Sequence, residues 1–137
     1  MNAWLLDTSA LPTLRDDEPG ADRAAEVLTL AQRGEVTCFG CFISLMEQLC
    51  RVWRDEGESA GHLAYEQCLS LPIAWIHESS DLLVKAAEIK AHQRVFLADA
   101  WIAACTVLHG ATLLHKDPEF TAISLKQEAL PFKGKAA

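Results

Sequence analysis

Four carboxylates stand where an acid is costly unless something balances it. Asp99 lies inside the stretch 95–119 (VFLADAWIAACTVLHGATLLHKDPE), in a run that is apolar on nearly every side. Asp117 comes just after the short apolar run 111–114, and Asp7 directly after another, 3–6. Glu47 follows Met46 at the edge of an apolar stripe of Ile43, Met46, Leu49, Cys50 and Trp53. An ionised carboxylate in a low dielectric is expensive unless it is paired or holds a metal. Acids brought close together raise one another's pKa, so a cluster of four calls for a cation. With no His or Cys in the set, all ligands are oxygen, which suits a hard ion, Mg²⁺ or Mn²⁺. The matching reaction is metal-assisted hydrolysis of a phosphodiester. Taken singly, Asp99 also suits the first turn of a helix and Glu47 an ordinary rim glutamate.

Elements that bring these acids together can be read from the apolar pattern. Residues 3–6, 36–39, 73–76 and 111–114 predict buried strands, and 129–132 a last edge strand, since Pro131 forbids a central position. Helices are predicted over 22–34, 42–55, 58–71 and 79–92, with Ser79-Ser80-Asp81 capping the last, and over the apolar run from about 95 to Gly110. In that last helix Leu97, Trp101, Ala104, Cys105 and Leu108 form one stripe. Thr8 or Ser9 is placed to cap a short helix after the first strand, and 120–125 to form a short helical turn. Regular alternation of strands and helices predicts an α/β domain with a mostly parallel sheet covered on both faces. Right-handed crossovers put every strand's carboxyl end on one rim. Asp7 and Asp117 both lie just past such ends, where open α/β sheets build their sites.

A length of 137 residues fits one domain, assigned to 1–132 with a frayed tail at 133–137. No apolar run is long enough for a membrane span, and the N-terminus turns polar too early for a signal peptide, so a cytoplasmic location is expected. The net charge of −7 argues against wrapping nucleic acid by overall attraction. A nuclease survives that objection, because a metal and a few local cations can steer phosphate. Arg51, Arg54, Lys90, Arg94 and Lys116 are the cations to inspect for RNA contact. The five cysteines are scattered in apolar context and read as small core residues. Cys38 and Cys41 have the spacing of a redox pair, but no second pair supports a zinc site.

Four pieces together carry a family resemblance: Asp7-Thr8-Ser9 after an apolar strand, Ile43-Ser44-x-x-Glu47 opening a helix, Ala98-Asp99-Ala100, and Lys116-Asp117-Pro118-Glu119-Phe120. In this order and spacing the chain resembles the PIN domain, most closely the small VapC-type toxins of bacterial toxin–antitoxin pairs. The resemblance covers about the whole chain. It implies a three-layer α/β/α sandwich around a mostly parallel sheet of four or five strands. It also implies a Mg²⁺- or Mn²⁺-dependent endoribonuclease, commonly a homodimer, held inactive by a cognate antitoxin that lies over the active groove. By the family pattern Asp7, Glu47, Asp99 and Asp117 are metal-binding, catalytic carboxylates, with Thr8 or Ser9 a supporting hydroxyl.

One position departs from that pattern. Relatives usually carry a small hydroxyl residue two places before the last acid, where this chain has His115. A histidine there could donate to a phosphate or to a metal-bound water, or be a substitution at a tolerant strand end. Two other functions compete with the nuclease. A haloacid-dehalogenase-like phosphatase also uses an acid after the first strand, but wants a second acid where Ser9 stands. A catalytically silent PIN-like scaffold is the other, which the presence of all four acids disfavours.

Overall fold

The computed structural model describes residues 2–131. The tail at 133–137 and Phe132 lie outside the described residues. The chain alternates strands and helices as the pattern predicts: β1 (Asn2–Leu6), α1 (Ala10–Arg15), α2 (Ala21–Gln32), β2 (Val36–Cys41), α3 (Phe42–Glu56), α4 (Glu58–Ser70), β3 (Ala74–Ile76), α5 (Ser80–His92), α6 (Leu97–Leu108), β4 (Thr112–His115) and β5 (Gln127–Ala129). A 3-10 turn, Pro118–Ala122, follows β4. The strands form one parallel sheet in the order β3-β2-β1-β4-β5.

Period-two alternation splits the core into two layers. Leu5 and Leu113 point to one face and pack with Leu82, Ala86 and the buried side of α6, Ile102 to Cys105. Leu6 and Leu114 point to the other face and pack with Ala10, Ala24, Val27 and Leu28 of α1 and α2. The sheet is therefore sandwiched between helical layers, the three-layer α/β/α architecture. At the edge, Arg23 of α2 donates from Nε to Glu128 of β5 at 2.8 Å and lies over the Trp4 ring, 5.1 Å from its centroid. Gly40 of β2 is required by packing: a Cβ there would run into the indole of Trp75, 2.7 Å from Cε3.

Strand order decides where a site can be. β1 is flanked by β2 on one side and β4 on the other. The connection leaving β1 runs to the α1/α2 face and the one leaving β4, through Phe120 and Ile123, to the α6 face, so they diverge and leave a crevice beyond the carboxyl ends of the two strands. Asp7 and Asp117 emerge at that crevice.

Several expected details differ. Ser79 caps α5 as predicted, accepting a hydrogen bond from Leu82 N at 3.2 Å. Ser9, by contrast, makes no side-chain cap on α1 and spends its hydroxyl elsewhere. The last strand ends at Ala129, before Pro131, and the helical turn begins two residues earlier, with Pro118 at its first position. The apolar stripe on α3 is not its core face. Ser44, Leu45, Gln48 and Val52 are buried, while Met46 is 53% and Trp53 44% exposed and Cys50 is also at the surface. Leu97 and Leu108 of α6 are likewise exposed, because this helix meets the sheet through its Ala- and Ile-rich side.

Candidate metal centre

The backbone at the crevice is set by sheet pairing that continues past the strand ends. Asp7 N donates to Leu114 O at 3.0 Å, which fixes the first acid beside the end of β4. Asp7 is buried, and its Oδ2 accepts from Ser9 N at 3.1 Å and from Ser9 Oγ at 2.5 Å. Ser9 Oγ in turn accepts from Lys116 N at 2.8 Å. One hydroxyl thus ties the segment after β1 to the segment after β4. That leaves Oδ1 of Asp7 for the crevice.

Thr8 performs the matching task for Glu47. Its Oγ1 donates to Glu47 Oε1 at 2.6 Å and lies 2.7 Å from Ser44 Oγ. Thr8 has a single hydroxyl proton, already given to the carboxylate, so Ser44 is the donor of that second bond. The relay Ser44, Thr8, Glu47 runs between α3 and the segment after β1 and holds one oxygen of Glu47, leaving Oε2 for the crevice.

Asp99 occupies the first turn of α6 and Asp117 the cap of the 3-10 turn, where its Oδ1 accepts from Glu119 N at 2.9 Å. Carboxylate oxygens of Asp99, Asp117 and Glu119 all lie within 4.8 Å of one another. Glu119 is the residue that sequence reasoning missed as a site residue. It was visible in the Lys116–Phe120 motif, but only the reversal of the chain in the 3-10 turn brings it back onto Asp99.

The electrostatics are those of buried acids that repel one another. Asp7 is raised from 3.8 to about 6, first by burial and then by the charges of Asp117 and Glu47; the Ser9 bonds pull the other way. Asp99 is pushed up further, by burial, by Asp7 and by a hydrogen bond shared with Glu119. These influences tie Asp7, Glu47, Asp99 and Asp117 into one interacting group, with Glu119 as a fifth member. The donor set fits a hard divalent cation: all oxygen, several carboxylates, and free oxygens on side chains whose other oxygen is pinned.

His115 takes no direct part. It is 0% exposed and packs on the Phe120 ring, with centroids 5.2 Å apart. Its Nδ1 accepts from Asp117 N at 3.1 Å, so the proton is on Nε2, which donates to Gln127 Oε1 at 2.9 Å. Gln127 Nε2 then donates to Phe120 O and Ile123 O, at 2.9 and 3.1 Å. Both ring nitrogens are used, and burial lowers the pKa of the imidazole. Of the two roles expected for His115, donation to a phosphate or a metal-bound water is thereby corrected: it acts on the backbone that carries Asp117.

Most of the cations singled out for RNA are already engaged. Lys116 is only 9% exposed and pairs with Glu18 at 3.4 Å, Lys90 donates to Val95 O at 2.9 Å, and Arg51 reaches Asp16 at 3.5 Å. Arg54 pairs with its neighbour Asp55, and Arg94 is exposed. The two spaced cysteines separate to opposite faces of the sheet. Cys38 lies in the α1/α2 layer, where burial pushes its thiol up to about 12, and Cys41 in the α6 layer against Cys105. They cannot form a pair with each other.

A family model described as the PIN domain matches residues 4–126. No curated protein matches the sequence. Among solved structures, VapBC2 from Rickettsia felis, bound to a DNA fragment from its promoter, superposes with a TM-score of 0.77 at 20% identity, covering 94% of this chain and 99% of that one. DNA-bound VapBC from Salmonella typhimurium gives 0.75 at 17% identity, covering 94% and 98%. Mycobacterium tuberculosis VapC20, a toxin that cleaves the sarcin–ricin loop, gives 0.71 at 20% identity, covering 93% and 98%.

Proposed function

The chain belongs to the PIN-domain family, and on that premise we propose that it is the toxin of a toxin–antitoxin pair, an endoribonuclease dependent on Mg²⁺, with Mn²⁺ as a substitute. The observation that carries this reading is the convergence of Asp7, Glu47, Asp99, Asp117 and Glu119 on the crevice beyond β1 and β4, with Asp99, Asp117 and Glu119 within 4.8 Å. A bound divalent cation would supply an acidified water and neutralise charge at the scissile phosphate. Asp99, Asp117 and Asp7 would hold it, and Glu119 would take either a ligand oxygen's place or a proton. Ser9 keeps Asp7 oriented, and Thr8 with Ser44 keeps Glu47 oriented, so that the free oxygens face the substrate side. With Ser9 bound to Asp7, position 9 offers no acid for phosphatase chemistry.

The partners follow from the same reading. Solved structures of the same fold include a member of the VapBC family of toxin–antitoxin systems and a toxin–antitoxin complex from Klebsiella pneumoniae, and this chain is proposed to bind a cognate antitoxin protein that covers the crevice. It is also proposed to act in the cytoplasm as a homodimer. The exposed apolar side chains Met46 and Trp53 of α3, and Phe96 and Leu97 before and at the start of α6, are offered as contacts for a second copy. The test of function is incubation of antitoxin-free protein with total RNA and Mn²⁺. Discrete fragments are expected from the wild type and none from Asp7→Ala at equal folding; equal cleavage by both would sink the proposal.

A further inference from the structure

Asp117 reaches the crevice on a turn, and a turn holds a carboxylate only as firmly as its own backbone is held. The Asp117 N–H donates to His115 Nδ1 at 3.1 Å. That bond needs a neutral imidazole with its proton on Nε2. Whatever faces Nε2 selects this tautomer, and the facing group is Gln127 Oε1 at 2.9 Å. Gln127 lies on β5, at the opposite edge of the sheet from β3. It carries neither charge nor nucleophile, so nothing in its type marks it as part of a site.

The register of the edge strand explains the meeting. Gln127 pairs with Leu113, and Ala129 with His115. By period-two alternation these four side chains share one face of the sheet, the face covered by α6. Glu128 stands on the opposite face, where Arg23 of α2 grips both its oxygens, Nε to Oε2 at 2.8 Å and Nη2 to Oε1 at 3.0 Å. Backbone bonds close the ladder: Leu113 N donates to Lys126 O at 2.9 Å and Leu130 N to His115 O at 2.6 Å. A strand of only three residues is thus clamped from one side and delivers a carboxamide to the other.

A carboxamide suits that place as other side chains do not. Oε1 accepts the imidazole proton, while Nε2 gives its two protons to Phe120 O and Ile123 O. Phe120 lies within the 3-10 turn and Ile123 caps its end. Gln127 therefore holds the turn that carries Asp117 and Glu119 at both ends, at the start through His115 and at the end directly. A carboxylate at 127 would have no proton for the two carbonyls, and an aliphatic side chain would leave the buried Nε2–H unpaired.

We propose that Gln127 is a positioning residue of the metal centre. Through the His115 tautomer and the end of the 3-10 turn it sets where the Asp117 and Glu119 carboxylates stand, and so how tightly a cation is held. The proposal rests on the reading of the crevice as a metal site and extends that site to the edge strand.

The test separates positioning from plain stability by two substitutions on the same strand. Gln127→Met keeps the length of the side chain and loses all three of its bonds. Glu128→Gln loosens the Arg23 grip on the opposite face. Both are expected to lower the melting temperature of metal-free protein. Calorimetric titration with Mn²⁺, well below either melting temperature, should show Gln127→Met binding about tenfold more weakly than the wild type, as loss of an orienting partner does, and Glu128→Gln close to the wild type. His115→Ala should weaken binding to a similar degree, and the double variant should fall well short of the product of the two effects, because the residues act as one unit. A readout without the cation comes from ¹⁵N spectra of the wild-type His115 ring, which should carry its proton on Nε2 alone; it needs no variant and stands even if Gln127→Met folds poorly. Equal Mn²⁺ affinity in Gln127→Met and wild type, an equally large loss in Glu128→Gln, or a His115 ring protonated on Nδ1 would each overturn the proposal while a cation-binding wild type left the functional reading intact. A wild type that binds no Mn²⁺ would remove both.

Discussion

At the scale of single residues, the site is a set of acids held in place at a cost. Below pH 3.8 Asp7 is protonated whether or not the chain is folded, and the fold carries no penalty from it. Between 3.8 and about 6 the unfolded chain loses the proton first, so stability falls as pH rises, and above about 6 the loss is complete. At neutral pH this amounts to about 3 kcal/mol in the metal-free protein. Asp7→Asn is therefore expected to raise the melting temperature of metal-free protein at pH 7.5 and to remove the stabilisation that Mn²⁺ gives the wild type; thermal scans with and without Mn²⁺ check both signs. Ser9 opposes the shift of Asp7, so Ser9→Ala should raise that pKa and weaken Mn²⁺ binding roughly tenfold near pH 7, as loss of an orienting partner does. Calorimetric titration from pH 6 to 8 should show the Ser9→Ala curve displaced toward higher pH; superimposable curves would remove Ser9 from the site. The roles of Thr8 and Ser9 were legible in the sequence only as "a hydroxyl beside an acid". Which hydroxyl serves which carboxylate depends on side-chain directions at the end of a strand, and no spacing encodes that. His115 was legible only as an oddity, because its partners, Asp117 N and Gln127, meet it through a turn and a parallel edge strand. Its replacement by Ala leaves two polar groups unpaired and a cavity, and should cost about 3 kcal/mol in denaturant unfolding.

At the scale of elements, the apolar pattern located the first four strands and the helices but set the last strand two residues late and misjudged two helix faces. On α3 the stripe from Ile43 to Trp53 was read as core because apolar side chains at helical spacing normally are. The core instead takes Ser44 and Gln48, because Ser44 is drawn in by its bond to Thr8 and Leu45 and Val52 anchor the neighbouring rows. A helix with two apolar-rich faces gives one periodicity and two possible orientations, and sequence alone does not choose. The sheet was more legible: runs of buried strand residues, with acids after two of them, foretold a rim with a site. Packing at the sheet edge yields a local prediction. Gly40→Ala drives a methyl into the Trp75 ring, so β2 and β3 must separate, at about 1–3 kcal/mol, the usual cost of overpacking. Urea titration should show that loss; an unchanged midpoint would mean that the Trp75 ring swings clear.

At the scale of the whole molecule, strand order 3-2-1-4-5 makes one crevice, and the chain delivers acids to it from five separate places: the ends of β1 and β4, the second turn of α3, the first turn of α6, and the 3-10 turn. Such distant parts converge only through the fold, which is why four acids could be named from order and spacing while Glu119 could not. Among the exposed apolar side chains, Met46 and Trp53 on α3 and Phe96 and Leu97 near the start of α6 are proposed to close against a second copy. Met46→Glu with Trp53→Glu is expected to convert a dimer into a monomer of unchanged fold in analytical ultracentrifugation; a monomeric wild type would contradict that. The central claim concerns the cation itself, and anomalous diffraction from crystals soaked in Mn²⁺ tests it most directly. A single strong peak is predicted between Asp7, Asp99 and Asp117, absent in Asp99→Asn crystals of the same form. No peak at the crevice, or one that persists undiminished in Asp99→Asn, would contradict the account.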